Sequence, residues 1–90
     1  MHEKNTRDGL ALVPEKEASA ILKKLRQKLP NVPLSVWGFV DKKNRRLIHI
    51  AADNPSNPTE DRADIYYKAD DGVEKIVPAA VKRLTTRFEL

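Results

Sequence analysis

The chain of 90 residues has no cysteine, which excludes a disulfide scaffold, a thiolate metal site and cysteine catalysis. Its three glycines are widely spaced, at Gly9, Gly38 and Gly72, so it has neither a phosphate-binding glycine loop nor a dinucleotide fingerprint. No apolar run approaches the ~20 residues that span a bilayer, and residues 1–8 lack the apolar stretch of a secretory signal. We therefore expect no contact with a membrane and a cytoplasmic location.

Candidate catalytic groups are also scarce. The two histidines are His2, in an N-terminal region with nothing to orient it, and His49, in a predicted strand. The nearest polar residues to His49 in the sequence are Ser35 and Asp53, and Asp53 lies roughly 13 Å away along an extended chain. Without an orienting partner and a nucleophile in reach, His49 is interpreted as a sheet histidine. We expect no enzymatic activity.

The acidic residues between positions 60 and 71 do not have the spacing of a calcium-binding loop. The run Asp70-Asp71-Gly72 is instead typical of a tight turn, because Asp and Gly tolerate the backbone angles that such a turn requires. The sequence therefore predicts neither a metal site nor any other cofactor.

Charge is abundant, and it is unevenly distributed along the chain. Residues 15–46 contain nine Lys or Arg and three Asp or Glu, an excess of +6, whereas residues 60–74 contain two and six, an excess of −4. Residues 75–90 contain four and one, an excess of +3. This distribution favours an anionic partner for one part of the molecule.

The first predicted element is a helix over residues 14–29. Pro14 suits the first helical position, acidic residues fall in the first turn, and basic residues fall near the end. One apolar stripe recurs at helical spacing, formed by Ala18, Ile21, Leu22, Leu25 and Leu29. Pro30 then ends the helix. Residues 1–12 have no clear period and are predicted to be a flexible arm that precedes a single domain over residues 13–90.

A β-hairpin is predicted over residues 34–52. Two apolar runs, 34–40 and 47–52, flank the polar segment 41–46, in which four of six residues are cationic. Alternation along each strand predicts two distinct faces. Gly38 in mid-strand predicts a bulge or a close backbone approach.

The second half of the chain allows two interpretations. Residues 64–68 favour a strand by composition, although residues 59–69 also fit a helix. Residues 73–77 are a candidate return strand after the turn signal at 70–72, yet they belong to a helical stripe that continues to Leu84. Because Pro78 interrupts that stripe, we predict a break there and a final helix over residues 78–87.

These elements predict a small α+β domain. It is a two-layer sandwich in which an antiparallel sheet of three to four strands carries an N-terminal and a C-terminal helix on one face. The order helix–strand–strand–strand–helix is similar to that of double-stranded RNA-binding domains. The similarity lies in element order alone and carries no residues across.

Basic residues form the first candidate site. The hairpin segment contributes Lys42, Lys43, Arg45 and Arg46, the first helix Lys24 and Lys28 among others, and the last helix Arg83 and Arg87. Lys and Arg that contact phosphates give sequence-independent affinity for nucleic acid, and basic hairpins enter grooves. The alternative is that these side chains simply face water.

The second candidate site is an aromatic sheet face. If the aliphatic residues of the hairpin face the helices, alternation puts Trp37, Phe39, His49 and Tyr66 on the other face. Such a face stacks single-stranded bases or contacts a protein, including a second copy of the chain. If the C-terminal segment folds over Trp37, the same residues are core.

The sequence thus leads to two functional hypotheses. The first is a non-enzymatic protein that binds an anionic partner, nucleic acid or an acidic protein surface, through the basic hairpin with help from the helix cations. The alternative is a protein–protein module, such as an inhibitor, an adaptor or a homodimer, that uses the aromatic sheet face.

Overall fold

The computed structural model of the protein describes residues 10–69 and 74–90. The elements are, in order, β1 (Ala11–Leu12), α1 (Glu15–Lys28), β2 (Leu34–Val40), β3 (Arg46–Asp53), β4 (Arg62–Ala69) and α2 (Ile76–Phe88). The strands form one antiparallel sheet in the order β1-β2-β3-β4. Helix α1 packs on β2, α2 packs on β4, and the two helices touch. The predicted α+β sandwich is confirmed.

Helix α1 covers the predicted span except for its first and last residues. Pro14 precedes the first helical residue and has an extended backbone, with ψ of 139°. Ile21 and Leu25 are buried against the sheet, and Leu29 is buried directly after the helix. Four residues of the predicted stripe therefore pack in the core, as their spacing predicts; they are Ala18, Ile21, Leu25 and Leu29. The fifth, Leu22, is half-buried and lies beside exposed side chains of α1.

The hairpin of β2 and β3 has the predicted strands in regular register, with Val36 opposite Ile50 and Gly38 opposite Ile48. A Cβ atom at Gly38 would collide with the backbone oxygen of Leu47. The glycine therefore permits a close approach of two strands without a bulge in the register. Ile48 and Ile50 are fully buried under the helices.

The loop between β2 and β3, residues 41–45, is built around Asp41. Its carboxylate accepts the backbone N–H groups of Lys43 and Arg45, each at 2.9 Å, and Asn44 donates its N–H to the carbonyl of Asp41. Asn44 has a left-handed backbone with φ of 64°. A turn followed by a left-handed residue is a common hairpin connection, and Asn tolerates that conformation.

Residues 62–69 form strand β4, which pairs along its whole length with β3 from Asp53↔Arg62 to Arg46↔Ala69. The strand interpretation is therefore correct and the helical one is wrong. Helix α2 begins at Ile76, two residues before the predicted start, and Pro78 is its third residue. At that position the missing N–H has no partner within the helix in any case.

The predicted return strand at 73–77 is wrong in its described part, because Ile76 and Val77 are helical. The predicted turn at Asp70–Gly72 lies outside the described residues. The fourth strand is instead β1, at the other edge of the sheet, where Leu12 pairs with Phe39 and the N–H of Val13 donates to the carbonyl of Gly38. Residues 1–9 of the predicted arm lie outside the described residues.

Both helices run in the same direction. Near its start, α1 is tied through Glu17 to Arg46 at the first residue of β3. Near its end, α2 is tied through Arg87 to Arg62 at the first residue of β4. In an antiparallel pair these two strand starts are at opposite ends of the sheet. Each helix therefore runs from the end that carries the loop 41–45 to the far end.

Candidate binding surfaces

The sheet face away from the helices, called here the open sheet face, carries the exposed apolar side chains of the strands. The large hydrophobic residues exposed there are Leu12, Trp37, Phe39, Leu47 and Tyr66. Register aligns them in two rows across the strands: Leu12, Phe39 and Leu47 in one, and Trp37, His49 and Tyr66 in the other. Trp37 is 40% exposed, so the hypothesis that the C-terminal segment covers it as core is wrong; α2 lies on the opposite face.

The three rings of the second row contact one another. The rings of His49 and Tyr66 are stacked, with centroids 4.5 Å apart and planes within 6°, and Trp37 meets His49 at 4.0 Å and 80°. Neighbouring strands are about 4.8 Å apart, so the stacked rings stand on edge rather than lie flat on the sheet. His49 therefore has a ring on each side, and the outer face of Tyr66 points to the edge of the sheet.

His49 also has a polar partner that the sequence analysis missed. Its Nε2 lies 2.9 Å from Oδ1 of Asp64, whereas the sequence predicted no orienting partner for His49. Asp64 is diagonal to His49 across the β3–β4 pair, because its direct opposite is Ala51. The alternation of Asp64 with Tyr66 indicated the shared face, but only the register of β4 brings the two side chains together.

The four cations of the hairpin segment do not form one patch. The side chain of Arg45 donates to the carboxylate of Asp41 at 2.7 Å. The pKa of Asp41 is lowered, chiefly because the backbone N–H of Arg45 donates to the carboxylate, and the Arg45 side chain contributes to the shift. Arg46 turns to the helix side and binds both oxygens of Glu17, at 2.8 and 3.2 Å. Lys42 and Lys43 remain exposed, without an ion pair among the described residues.

The helix layer carries a larger group of cations. Between Ala18 and Lys28, α1 has no acidic residue, and α2 has none over its whole length. Six exposed cations on these stretches, called here the helix-layer cations, have no ion pair within the described residues; they are Lys23, Lys24, Arg26, Lys28, Lys82 and Arg83. Arg87 differs, because it binds Asp61 at 3.2 Å and the carbonyl of Arg62 at 3.1 Å.

The two basic regions are spatially separate. Glu17 is close to the hairpin through Arg46, and Lys28 lies about 16 Å further along the helix axis. Lys24, Lys28 and Arg83 thus belong to a surface toward the far end of the helix layer, while Lys42 and Lys43 project at the loop end. The predicted set of eight basic residues divides into a helix-layer group, a pair of loop lysines, and three arginines held by carboxylates.

Other site chemistries find little support within residues 10–69 and 74–90. No three His, Asp or Glu side chains there are grouped so that they could hold a metal ion. A shallow pocket on the open sheet face lies against Phe39 and Leu47, and the carboxylate at its rim, Asp41, already binds Arg45. Neither helix is long and apolar enough to cross a membrane, as far as the chain is described.

Comparison of the chain with protein-family models, with curated proteins and with solved structures gave no match. The function is therefore inferred from the arrangement of side chains alone.

Proposed function

We propose that the protein is a non-enzymatic binding protein that docks nucleic acid through the helix-layer cations. The observation that carries the proposal is that six exposed Lys and Arg residues lie on two adjacent helices without an acidic residue between Ala18 and Lys28 or in α2. Such a surface attracts a polyanion, because no carboxylate within these two stretches offsets its field.

Phosphate is the chemistry that this surface suits best. Lys and Arg contacts to phosphate give affinity through counterion release and do not depend on base sequence. The helix layer presents no aromatic side chain to water among the described residues, so it lacks a platform for stacking bases. We therefore expect a preference for duplexes, which have the higher axial charge density, and little sequence specificity.

The hairpin loop is a weaker candidate for the main contact. Two of its four predicted cations, Arg45 and Arg46, are held by Asp41 and Glu17, and those carboxylates offset their charge. Lys42 and Lys43 would add at most two phosphate contacts at the loop end of the molecule.

Binding to duplex and single-stranded oligonucleotides at several salt concentrations tests the proposal. If all six helix-layer cations contact phosphates, duplex affinity falls about 1,000-fold between about 50 and 200 mM salt. The double variant Lys24→Gln/Lys28→Gln should bind more weakly and reduce the salt slope by about 2.

The matched control is Lys42→Gln/Lys43→Gln, which removes the same charge from equally exposed positions. It should have a smaller effect on affinity than the α1 variant. Absence of duplex binding by the unmodified protein at low salt would end the proposal, and a larger loss in the loop variant would move the site to the hairpin.

A second candidate function, contact with another protein chain, is favoured by the open sheet face. Five large apolar side chains are exposed on it, and Tyr66 is the most exposed, at 60%. Apolar patches of this kind are typical of protein interfaces. Because its rings already stack on one another, the face offers few free ring surfaces to bases. Since it lies opposite the helix layer, both functions are compatible in one molecule.

A further inference from the structure

Among residues 10–69 and 74–90, no strand pairs with the outer edge of β4. The carbonyl of Asp61 accepts a hydrogen bond from Asn54 on the β3 side, and backbone groups alternate in direction along an antiparallel strand. The N–H and C=O groups of Arg62, Asp64, Tyr66 and Lys68 therefore point away from β3. The bond from Arg87 to the carbonyl of Arg62 agrees with this assignment. Unpaired edge groups of this kind are a template for another strand.

Tyr66 lies in the middle of this edge. Its ring stands on edge, stacked on His49 at 4.5 Å, and the part of the chain that the structure describes places no strand on the other side of β4. The ring face that points outward is therefore uncovered, which accounts for its 60% exposure. A strand added at this edge would place a side chain about 4.8 Å from that ring face. An aromatic residue at that position would continue the stack.

Two charges of opposite sign flank Tyr66 symmetrically. Asp64 is two residues before it and Lys68 is two residues after it, and all three share the open sheet face. Within the chain, Oδ1 of Asp64 lies near His49 and Arg62, so Oδ2 is the oxygen that would meet Lys68 of a second copy. Charges on an edge strand usually discourage pairing. Here a two-fold axis through Tyr66 would place Asp64 of each chain directly opposite Lys68 of the other.

We infer that a second copy of this chain pairs with the β4 edge, antiparallel and centred on Tyr66. Tyr66 meets Tyr66 of the second copy, and two Asp64–Lys68 pairs form across the axis. The paired segment, residues 64–68, exchanges about six backbone hydrogen bonds. The ring row of Trp37, His49 and Tyr66 becomes a continuous row that crosses the dimer. This inference is independent of nucleic-acid binding and names the partner for the second candidate function.

The side chains favour this register over two alternative ones. A shift of one residue would turn the open faces of the two copies to opposite sides. A shift of two residues toward the N-terminus would place Arg62 opposite Lys68, two like charges, and would put Asp64 against the Tyr66 ring. Arg87 already occupies the carbonyl of Arg62, which also limits pairing to the segment from Asp64 onward.

Charge exchange across the axis tests the register. Asp64→Lys places lysines opposite each other, and Lys68→Asp places aspartates opposite each other. Each variant should raise the dissociation constant of the dimer about tenfold or more, as measured by sedimentation over a range of protein concentrations. The double variant Asp64→Lys/Lys68→Asp restores both pairs and should dimerise like the unmodified chain. An equimolar mixture of the two single variants should form heterodimers, since every pair in it is again complementary.

Crosslinking gives a second, independent measurement. The chain has no cysteine, so Tyr66→Cys introduces a single thiol at the proposed axis, where paired Cα atoms are about 5.5 Å apart, within disulfide range. Under mild oxidation it should form a covalent dimer, whereas Thr86→Cys, exposed on α2, should not. Circular dichroism of each variant checks that the fold is retained. A monomer at all concentrations would overturn the inference, and so would a dimer that the charge variants leave unaffected and that the Tyr66→Cys variant does not crosslink.

Discussion

At the scale of single residues, strand position decides whether a cation is available to a ligand. Arg45 is the last residue of the loop and Arg46 is the first residue of β3. The side chain of Arg45 stays within the loop, bound to Asp41, whereas that of Arg46 points to the helices. Arg46, at the start of β3, reaches the helix side and binds Glu17 with a bidentate contact, and the two side chains are 22% and 30% exposed. Partial burial and two hydrogen bonds make this pair stronger than a typical surface salt bridge.

We predict that Arg46 stabilises the fold and contributes little to anion binding. A double-mutant cycle of Arg46→Met and Glu17→Gln should give a coupling free energy of about 1 kcal/mol in urea unfolding. Lys43→Met is the control, and it should change stability by less than about 0.5 kcal/mol because Lys43 is exposed. A coupling close to zero, or a loss of nucleic-acid affinity in Arg46→Met as large as that in the α1 variant, would contradict this role.

The sequence predicted which face of the sheet each side chain occupies better than it predicted the hydrogen-bond or ion-pair partner of that side chain. Alternation alone separates Trp37 and Phe39 from Val36, because the side chains of a strand point to opposite faces in turn. Partners such as Asp64 for His49 and Glu17 for Arg46 depend on strand register and on where α1 crosses the sheet. Those quantities are set by packing of the whole core, so a local pattern does not contain them.

At the scale of elements, the strongly periodic segments were predictable and the weakly periodic one was ambiguous. Helix α1 has a complete apolar stripe and consistent end signals, so its span is nearly the predicted one. The sequence allows a strand over residues 64–68 or a helix over residues 59–69, and pairing with β3 decides for the strand. Strand β1 has only two residues, too few to produce a period, and its existence depends on the free edge of β2.

The far end of α2 is linked to the connection between β3 and β4 through Asp61. Its carboxylate accepts a hydrogen bond from Asn54 at 2.8 Å and another from Arg87 at 3.2 Å. Both hydrogen bonds lower the pKa of Asp61 below its ordinary value of 3.8, and the bond from Asn54 has the larger effect. Because folding lowers the pKa of Asp61, the ionised carboxylate stabilises the folded state fully above pH 3.8. This stabilisation is lost as the pH falls through the pKa of the folded state.

We therefore expect Asp61→Asn to be less stable than the unmodified protein near neutral pH, with a difference that shrinks in acid. Urea unfolding midpoints at about pH 6 and about pH 2.5 measure this, since the unfolded carboxylate takes up a proton below its ordinary pKa of 3.8 and the stabilisation of the folded state decreases from there. Arg87→Met should reproduce part of the loss at about pH 6. A difference between Asp61→Asn and the unmodified protein that stays constant over this pH range would show that the carboxylate charge is not involved.

At the scale of the whole molecule, charge along the sequence differs from charge in space. The basic segment 15–46 divides between the helix layer and the loop end. The acidic segment 60–74 contains Asp61 at the far end and Glu74 just before α2, which begins at the loop end. The sequence therefore shows where along the chain cations are in excess but not where they lie in space, because their location depends on both helices running in the same direction on one face.

The two layers also separate the two proposed surfaces, and the single tryptophan reports on this separation. Trp37 is on the open sheet face, and the helix layer packs about 10 Å away on the other side of the sheet. We predict that saturating duplex at low salt leaves the emission of Trp37 and its quenching by acrylamide unchanged, because the bound phosphates lie on the helices.

The matched control moves the reporter to the other layer. In the variant Trp37→Phe/Gln27→Trp, the new indole stands on the exposed face of α1 beside Lys23 and Arg26. Duplex should then shield this indole from acrylamide and change its emission. Suppose instead that a duplex or a single strand quenches Trp37 and leaves the indole introduced on α1 unaffected. Bases would then stack on the open sheet face, and the assignment of nucleic acid to the helices and of protein contact to the sheet would be reversed.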